Sequence, residues 1–237
     1  SAANPVLFEA AGFTFSIWLV IYALQAAYVV FSFLPVGRRQ TRINAVGPFF
    51  LIANIANISW LFAWHWERFT ASMLAMVILL ASVAIIYGLV HRRNPARRWE
   101  TTLHRLLVEV PFSVTLAWVA IAALSNLQVW MEHGGGWDGG PFGMRGWAMI
   151  FLLAGILVAA GFAFFAHDAA FPLVFVWAYL GIGYEQWSNS SLVSITAWIL
   201  TGVAAALTVM GLLLSFDARS GPRPMPGAVL NRARPGH

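Results

Sequence analysis

Four residues in one apolar run have the chemistry of a binding wall. In NIANISWLFAWHWERF, residues 54–69, Asn54, Asn57, Trp60 and Trp64 follow at intervals of three, three and four. At about 100° per residue this is a single stripe down one helix face. An amide turned to hydrocarbon has nothing to satisfy its donors and acceptor, so the stripe predicts an inward face. His65 and Trp66 fall on other faces at the helix end, where aromatic and polar rings favour the headgroup region. His65 has no second ligand type near it, so no metal site is expected.

Two other runs repeat the pattern. Phe15, Trp18, Tyr22 and Gln25 share a face of AGFTFSIWLVIYALQAAY. In LHRLLVEVPFSVTLAWVAIAALSN, Trp118 and Asn126 are eight residues apart and share a face below Pro111, which removes a backbone donor and predicts a kink. Arg105 and Glu109 in the same run are spaced for an i,i+4 ion pair. Three helices thus each carry a stripe of tryptophan and hydrogen-bonding groups. An apolar aromatic wall with a few convergent polar groups suits a flat or elongated hydrophobic ligand. The indoles of Trp18, Trp60, Trp118 and Trp177 lie deep in their runs and need an acceptor. Trp99, Trp130, Trp137, Trp147 and Trp187 lie at run ends or in loops, as an interfacial belt would. General acid–base chemistry has little to work with: only Glu109 lies inside a run, with His65, His104, His167 and Asp168 at edges. No catalytic residue, and no enzyme, is expected.

The elements that must position these stripes are membrane helices. The 237 residues are 60% hydrophobic and 10% charged, with mean hydropathy +0.74, against about a quarter charged in soluble domains. Apolar runs near 8–34, 43–66, 70–91, 104–131, 146–166, 169–187 and 191–216 predict an all-α polytopic bundle of about seven transmembrane helices. The absence of cysteine excludes disulfides and thiolate chemistry. The net charge of +5 follows from loop arginines and does not point to nucleic acid. Arg38, Arg39 and Arg42, then Arg92, Arg93, Arg97, Arg98 and Arg105, then Arg219, Arg223, Arg232 and Arg234 fall on alternate connections. Glu67, Glu132, Asp138 and Glu185 fall on the others. The positive-inside rule then predicts an outer N-terminus and a cytoplasmic C-terminus in a bacterial inner membrane. The start at Ser1 fits a removed leader or an upstream helix. Gly155 with Ala159, and Gly202 with Ala206, are small-xxx-small pairs that predict close packing within the bundle.

The motifs resemble those of the tryptophan-rich sensory protein family, also called the translocator protein or peripheral benzodiazepine receptor family. AGFTFSIWLVIY, NISW and VPFSVTLAWVAIAALSN resemble its Trp-x3-Tyr, Asn-x2-Trp and Pro…Trp-x7-Asn patterns, in the family's order. The resemblance covers about residues 8–130 and implies that the first four runs correspond to helices two to five of a five-helix fold. The double proline expected before the first motif is replaced by AAGF, and the proline after the second is absent. The last three runs resemble the extension of a longer bacterial subgroup. The division expected is 1–131 for the family-like part, 132–216 for a three-helix extension and 217–237 for a mobile cytoplasmic tail.

The resemblance implies a hydrophobic ligand within the bundle, a tetrapyrrole, pigment, sterol or lipid. The ligand-binding set expected is Phe15, Trp18, Tyr22, Asn54, Asn57, Trp60, Trp64, Pro111, Trp118 and Asn126. No cofactor is assigned; a tetrapyrrole, a carotenoid or a lipid are the candidates for a bound group. The partners expected are membrane lipids and the hydrophobic ligand, with a homodimer or a membrane-complex subunit left open. Receptor or carrier is the first reading. An accessory or scaffold subunit of a larger pigment–protein complex is the second, and a tetrapyrrole-modifying enzyme the third.

Overall fold

The computed structural model describes residues 6–38, 41–91 and 102–220, and among these it is helical with no strand. Seven principal helices form the bundle: α1 (Ile17–Phe33), α2 (Thr41–His65), α3 (Phe69–Val90), α4 (Val110–Val129), α5 (Gly143–Gly161), α6 (Ala170–Glu185) and α7 (Ser191–Ser220). With their flanking turns, six segments are long and apolar enough to cross a membrane: Gly12–Phe33, Ile43–His65, Phe69–Val90, Arg105–Gly134, Gly140–Ala166 and Ser191–Phe216. The protein is therefore a polytopic helix bundle, with the expected seven helices of which six have spanning length.

α6 is the exception. Its 16 residues rise about 24 Å, short of a hydrocarbon core of about 30 Å. It compensates by burial. Phe171, Val174, Phe175, Ala178, Tyr179 and Ile182 are all nearly inaccessible, because α6 packs against α4, α5 and α7. Pro172 sits in its first turn, where the missing N–H has no helical partner to lose.

The first apolar run does not begin as a helix. Residues 6–11 form a non-helical strap that leads through a 3-10 turn, Gly12–Ser16, into α1. Its backbone is satisfied by side chains and carbonyls of other helices. Phe8 N–H donates to Gln128 Oε1 at 2.8 Å, and Ala11 N–H to the Gly181 carbonyl at 3.2 Å. Gln186 Nε2 donates to the Val6 carbonyl and Trp177 Nε1 to the Thr14 carbonyl. Non-helical backbone at this depth is tolerated only where protein pairs it, and here four such bonds do so.

One apolar core runs through all seven helices, with Ile21, Trp60, Leu79, Trp118, Leu152, Tyr179 and Ala197 as a representative from each. A smaller cluster around Tyr28, Val46, Ile86 and Phe112 fills the opposite end. Residues on both sides of position 131 share the larger core, so α5–α7 pack onto α1–α4. Pro111 lies in the first turn of α4, and the preceding turn, Arg105–Glu109, is π-wound. The wide turn absorbs the missing proline donor, and Val110 N–H reaches back to the Arg105 carbonyl.

The two small-xxx-small pairs differ. A Cβ on Gly155 would overlap the Tyr179 hydroxyl, which donates to the Leu152 carbonyl at 2.7 Å, so close packing of α5 on α6 needs glycine there. Gly202 has nothing within 4 Å of its Cβ position, and both it and Ala206 are exposed. The expectation of bundle packing fails for this pair, because that face of α7 points out of the bundle. α7 also continues through Asp217–Ser220, past the expected start of the tail. Trp99 and the arginines at 39, 92, 93, 97, 98, 223, 232 and 234 lie outside the described residues.

Candidate ligand cavity

The acidic loops and one cavity share an end of the bundle. The start of α1, the last turns of α2, the second half of α4 and the end of α6 meet there around a cavity of about 340 Å³. Phe15, Trp18, Trp60, Trp64, Trp118 and Asn126 line it, six of the ten residues singled out by spacing. The volume falls in the range of small-molecule sites, about 300–1,000 Å³. Phe15 and Leu61 line it and are also exposed, so it is not sealed.

Helical periodicity builds the aromatic wall. Trp18 and Tyr22, one turn apart on α1, stack at 5.4 Å with 27° between planes. Trp60 and Trp64, one turn apart on α2, lie at 6.1 Å and 34°, and Trp18 meets Trp60 between the helices at 6.4 Å and 31°. The four rings form a column of tilted, nearly parallel planes. Trp118 stands edge-on to Phe15 at 5.8 Å and 88°. Such pairs contribute about 0.5–1.5 kcal/mol each beyond their buried area.

The polar groups divide into used and unused. Asn126 is a helix clamp: its Oδ1 accepts from Ser72 Oγ at 2.8 Å and its amide faces the Met73 sulfur at 3.5 Å. Asn54 donates to the Phe50 carbonyl of its own helix. Asn57 donates to the Tyr22 hydroxyl at 3.2 Å, while its buried Oδ1 has no protein partner among the described residues. Asn54 and Asn57 do not line the main cavity. With Trp18, Gln25 and Thr115 they border a void of about 20 Å³, enough for one water. Tyr22 is on the wall's outer edge, 45% exposed, because the α1 stripe turns partly toward lipid. Pro111 is remote from the cavity. Trp60 and Trp118 are 7% and 3% exposed, and neither buried indole N–H finds an acceptor among the described residues. Of the other two indoles expected to lie deep, Trp177 donates to the Thr14 carbonyl and Trp18 is half-buried.

Spacing did not single out Phe8, Glu9, Ala10 and Gly12 of the strap, or Ile182 of α6, all of which line the cavity. Residues 8–12 precede the stripe of the first run and carry none of its spacing. At the belt positions, Trp130 Nε1 donates to Thr70 Oγ1 and Trp147 Nε1 to the Gly139 carbonyl. Trp66 and Trp187 are exposed, at 61% and 72%.

The opposite end holds a second polar cluster. Asp168, 5% exposed, accepts from Ser113 Oγ at 2.6 Å and Tyr87 OH at 3.0 Å through Oδ2. Its Oδ1 accepts from the backbone N–H groups of Ala170 and Phe171 at 2.9 and 3.3 Å. One carboxylate thereby ties α3 and α4 to the first turn of α6. His91 Nε2 lies 3.7 Å away, with its ring stacked on Tyr87 at 3.7 Å. Burial pushes the His91 imidazole down to about 4, against the opposing pull of the Asp168 charge. The expected Arg105–Glu109 pair forms at 3.7 Å and is partly exposed. Among the described residues no cluster of three His, Cys, Asp or Glu is placed to hold a metal.

The fold is that of a multi-pass helical membrane protein. A family model described as TSPO-like protein matches residues 1–210. The chain belongs to that family, as the sequence motifs indicated. No curated protein and no solved structure matches it.

Proposed function

We propose that the protein is a receptor or carrier that holds a hydrophobic ligand in the cavity at the acidic end of the bundle. One observation carries this reading: aromatic residues from α1, α2 and α4 converge on an apolar space of about 340 Å³. Two of the indoles that line it keep buried N–H groups without an acceptor among the described residues. An unpaired buried donor is costly, and a ligand oxygen or nitrogen offsets that cost. The candidates are a tetrapyrrole, a pigment, a sterol or another lipid. Glu9 is the one charged residue on the lining, so binding rests on apolar and aromatic contact.

In this reading the protein sits in a bacterial inner membrane with the cavity on the outer side. Residues 1–131 supply most of the wall and 132–216 brace it through α6. The scaffold role remains as a second reading, favoured by the exposed small-residue face of α7 at Gly202 and Ala206.

Tryptophan fluorescence tests the first reading. Protoporphyrin, and separately a sterol-like or retinoid probe, is titrated into the purified protein. Saturable quenching that weakens in Trp60→Ala and Trp118→Ala supports it. Linear, unsaturable quenching, equal in the variants, counts against it.

A further inference from the structure

A second concave site lies at the same end, outside the cavity, with different chemistry. The end of α6, the connection 186–190 and the start of α7 enclose an open groove of about 540 Å³ lined by Tyr184, Glu185, Trp187, Ser188 and Trp198. Three of the five are aromatic, and Tyr184, Trp187 and Trp198 are 64%, 72% and 41% exposed. The frame is rigid. Ser194 Oγ donates to the Gly183 carbonyl at 2.7 Å, Ser190 N–H to the Gln186 carbonyl at 2.9 Å, and Gln186 Nε2 to the strap at Val6. Gly183 lets the Trp198 indole lie against α6, since a Cβ there would stand 3.0 Å from the ring.

A membrane belt explains exposed tryptophan and tyrosine at a helix end. It does not explain why they share a groove with a carboxylate. Glu185 is half-buried, and among the described residues no Lys, Arg or His pairs with it. Aromatic faces are negative and disfavour a neighbouring anion, while both aromatic face and carboxylate attract a cation. An alkylammonium satisfies both at once. At the end of two apolar helices, the cation present in quantity is a lipid headgroup. We propose that this groove seats the ammonium headgroup of a membrane phospholipid, with Glu185 as counter-charge and Trp187, Trp198 and Tyr184 as the aromatic walls. The groove is separate from the ligand cavity, and the proposal does not depend on what that cavity binds.

The test uses the full chain in nanodiscs of equimolar phosphatidylethanolamine and phosphatidylglycerol, with co-released lipids counted by native mass spectrometry. The expected result is phosphatidylethanolamine retained about two- to fivefold over its bulk share, the scale of one exposed cation–π contact. Trp187→Ala and Glu185→Gln, both outside the core, should bring retention to the bulk ratio, and Glu185→Lys should reverse it toward phosphatidylglycerol. Retention at the bulk ratio in the wild type, or an unchanged preference in Glu185→Lys, overturns the proposal.

Discussion

Asp168 and the indoles of Trp60 and Trp118 are all buried polar groups, yet the two ends of the bundle treat them differently. At the arginine-rich end, Asp168 accepts four hydrogen bonds from α3, α4 and the first turn of α6. At the acidic end, two indole donors have no acceptor among the described residues, on the wall of a space of about 340 Å³. A satisfied network is what a bundle uses to fix helix positions. Unsatisfied donors around empty volume reduce stability, and they make sense where a ligand completes them. The contrast is what the proposed function calls for, with stability at one end and recognition at the other.

The largest effect should come from breaking the satisfied end. Asp168→Ala leaves the Ser113 and Tyr87 hydroxyls and two backbone N–H groups without their acceptor. A loss of about 3–5 kcal/mol is expected, the scale of removing one partner from a buried charged network. Thermal unfolding in detergent would register it, with Asp168→Asn falling between. Ligand affinity measured in the folded fraction should be unaffected. A wild-type midpoint in Asp168→Ala would remove the structural half of the comparison.

The recognition end should respond in the opposite sense. Trp60→Phe and Trp118→Phe delete an unpartnered N–H and keep most of the ring. Stability should hold within about 1 kcal/mol, while affinity for a ligand bearing an acceptor falls about 2- to 12-fold, one neutral hydrogen bond. Fluorescence titration and thermal unfolding on the same samples would check both. Stability loss without affinity loss would make these indoles ordinary core residues.

The pH dependence is smaller and belongs to the arginine-rich end. Burial lowers the His91 pKa to about 4 from about 6.5 when unfolded. The unfolded chain therefore binds a proton first as pH drops. The stability tied to neutral His91 is complete above pH 6.5 and declines as pH falls through about 4. Unfolding midpoints at pH 7 and pH 5 should differ more in the wild type than in His91→Gln. Equal differences would show that His91 is not the group responsible.

The smallest effect separates two glycines with the same motif. Gly155→Ala should destabilise, because the Tyr179 hydroxyl occupies the Cβ position. Gly202→Ala should be neutral or stabilise by up to about 1 kcal/mol, the intrinsic helix preference for alanine. If both variants behave alike, the inward and outward faces assigned to α5 and α7 are wrong.

Legibility in the sequence follows physical periodicity. The α2 stripe was readable because an asparagine facing lipid is costly; Asn57 and Trp60 are indeed buried, while Trp66 is exposed. Trp118 and Asn126, eight residues apart, line the same cavity. What the pattern did not give was partners across the fold. Asn126, expected as a ligand contact, lines the cavity and is also held by Ser72. Asp168, expected only as a titratable residue at a run edge, ties three helices together. Its legible trace was its place just before a helix, where aspartate caps exposed N–H groups. The strap at 6–11 was hidden because a non-helical apolar segment and a helical one look alike without a polar stripe. The shortness of α6 was hidden for the same reason: burial by protein and burial by lipid call for the same residues.

One measurement bears most directly on the central claim that the cavity is the ligand site. Ala122 lies on the cavity wall, partly buried in α4, and Ala122→Trp would fill the space with an added indole. The account predicts that saturable quenching by a hydrophobic probe is lost in Ala122→Trp while the thermal midpoint stays near the wild-type value. A filled cavity that binds the probe with unchanged affinity would contradict it.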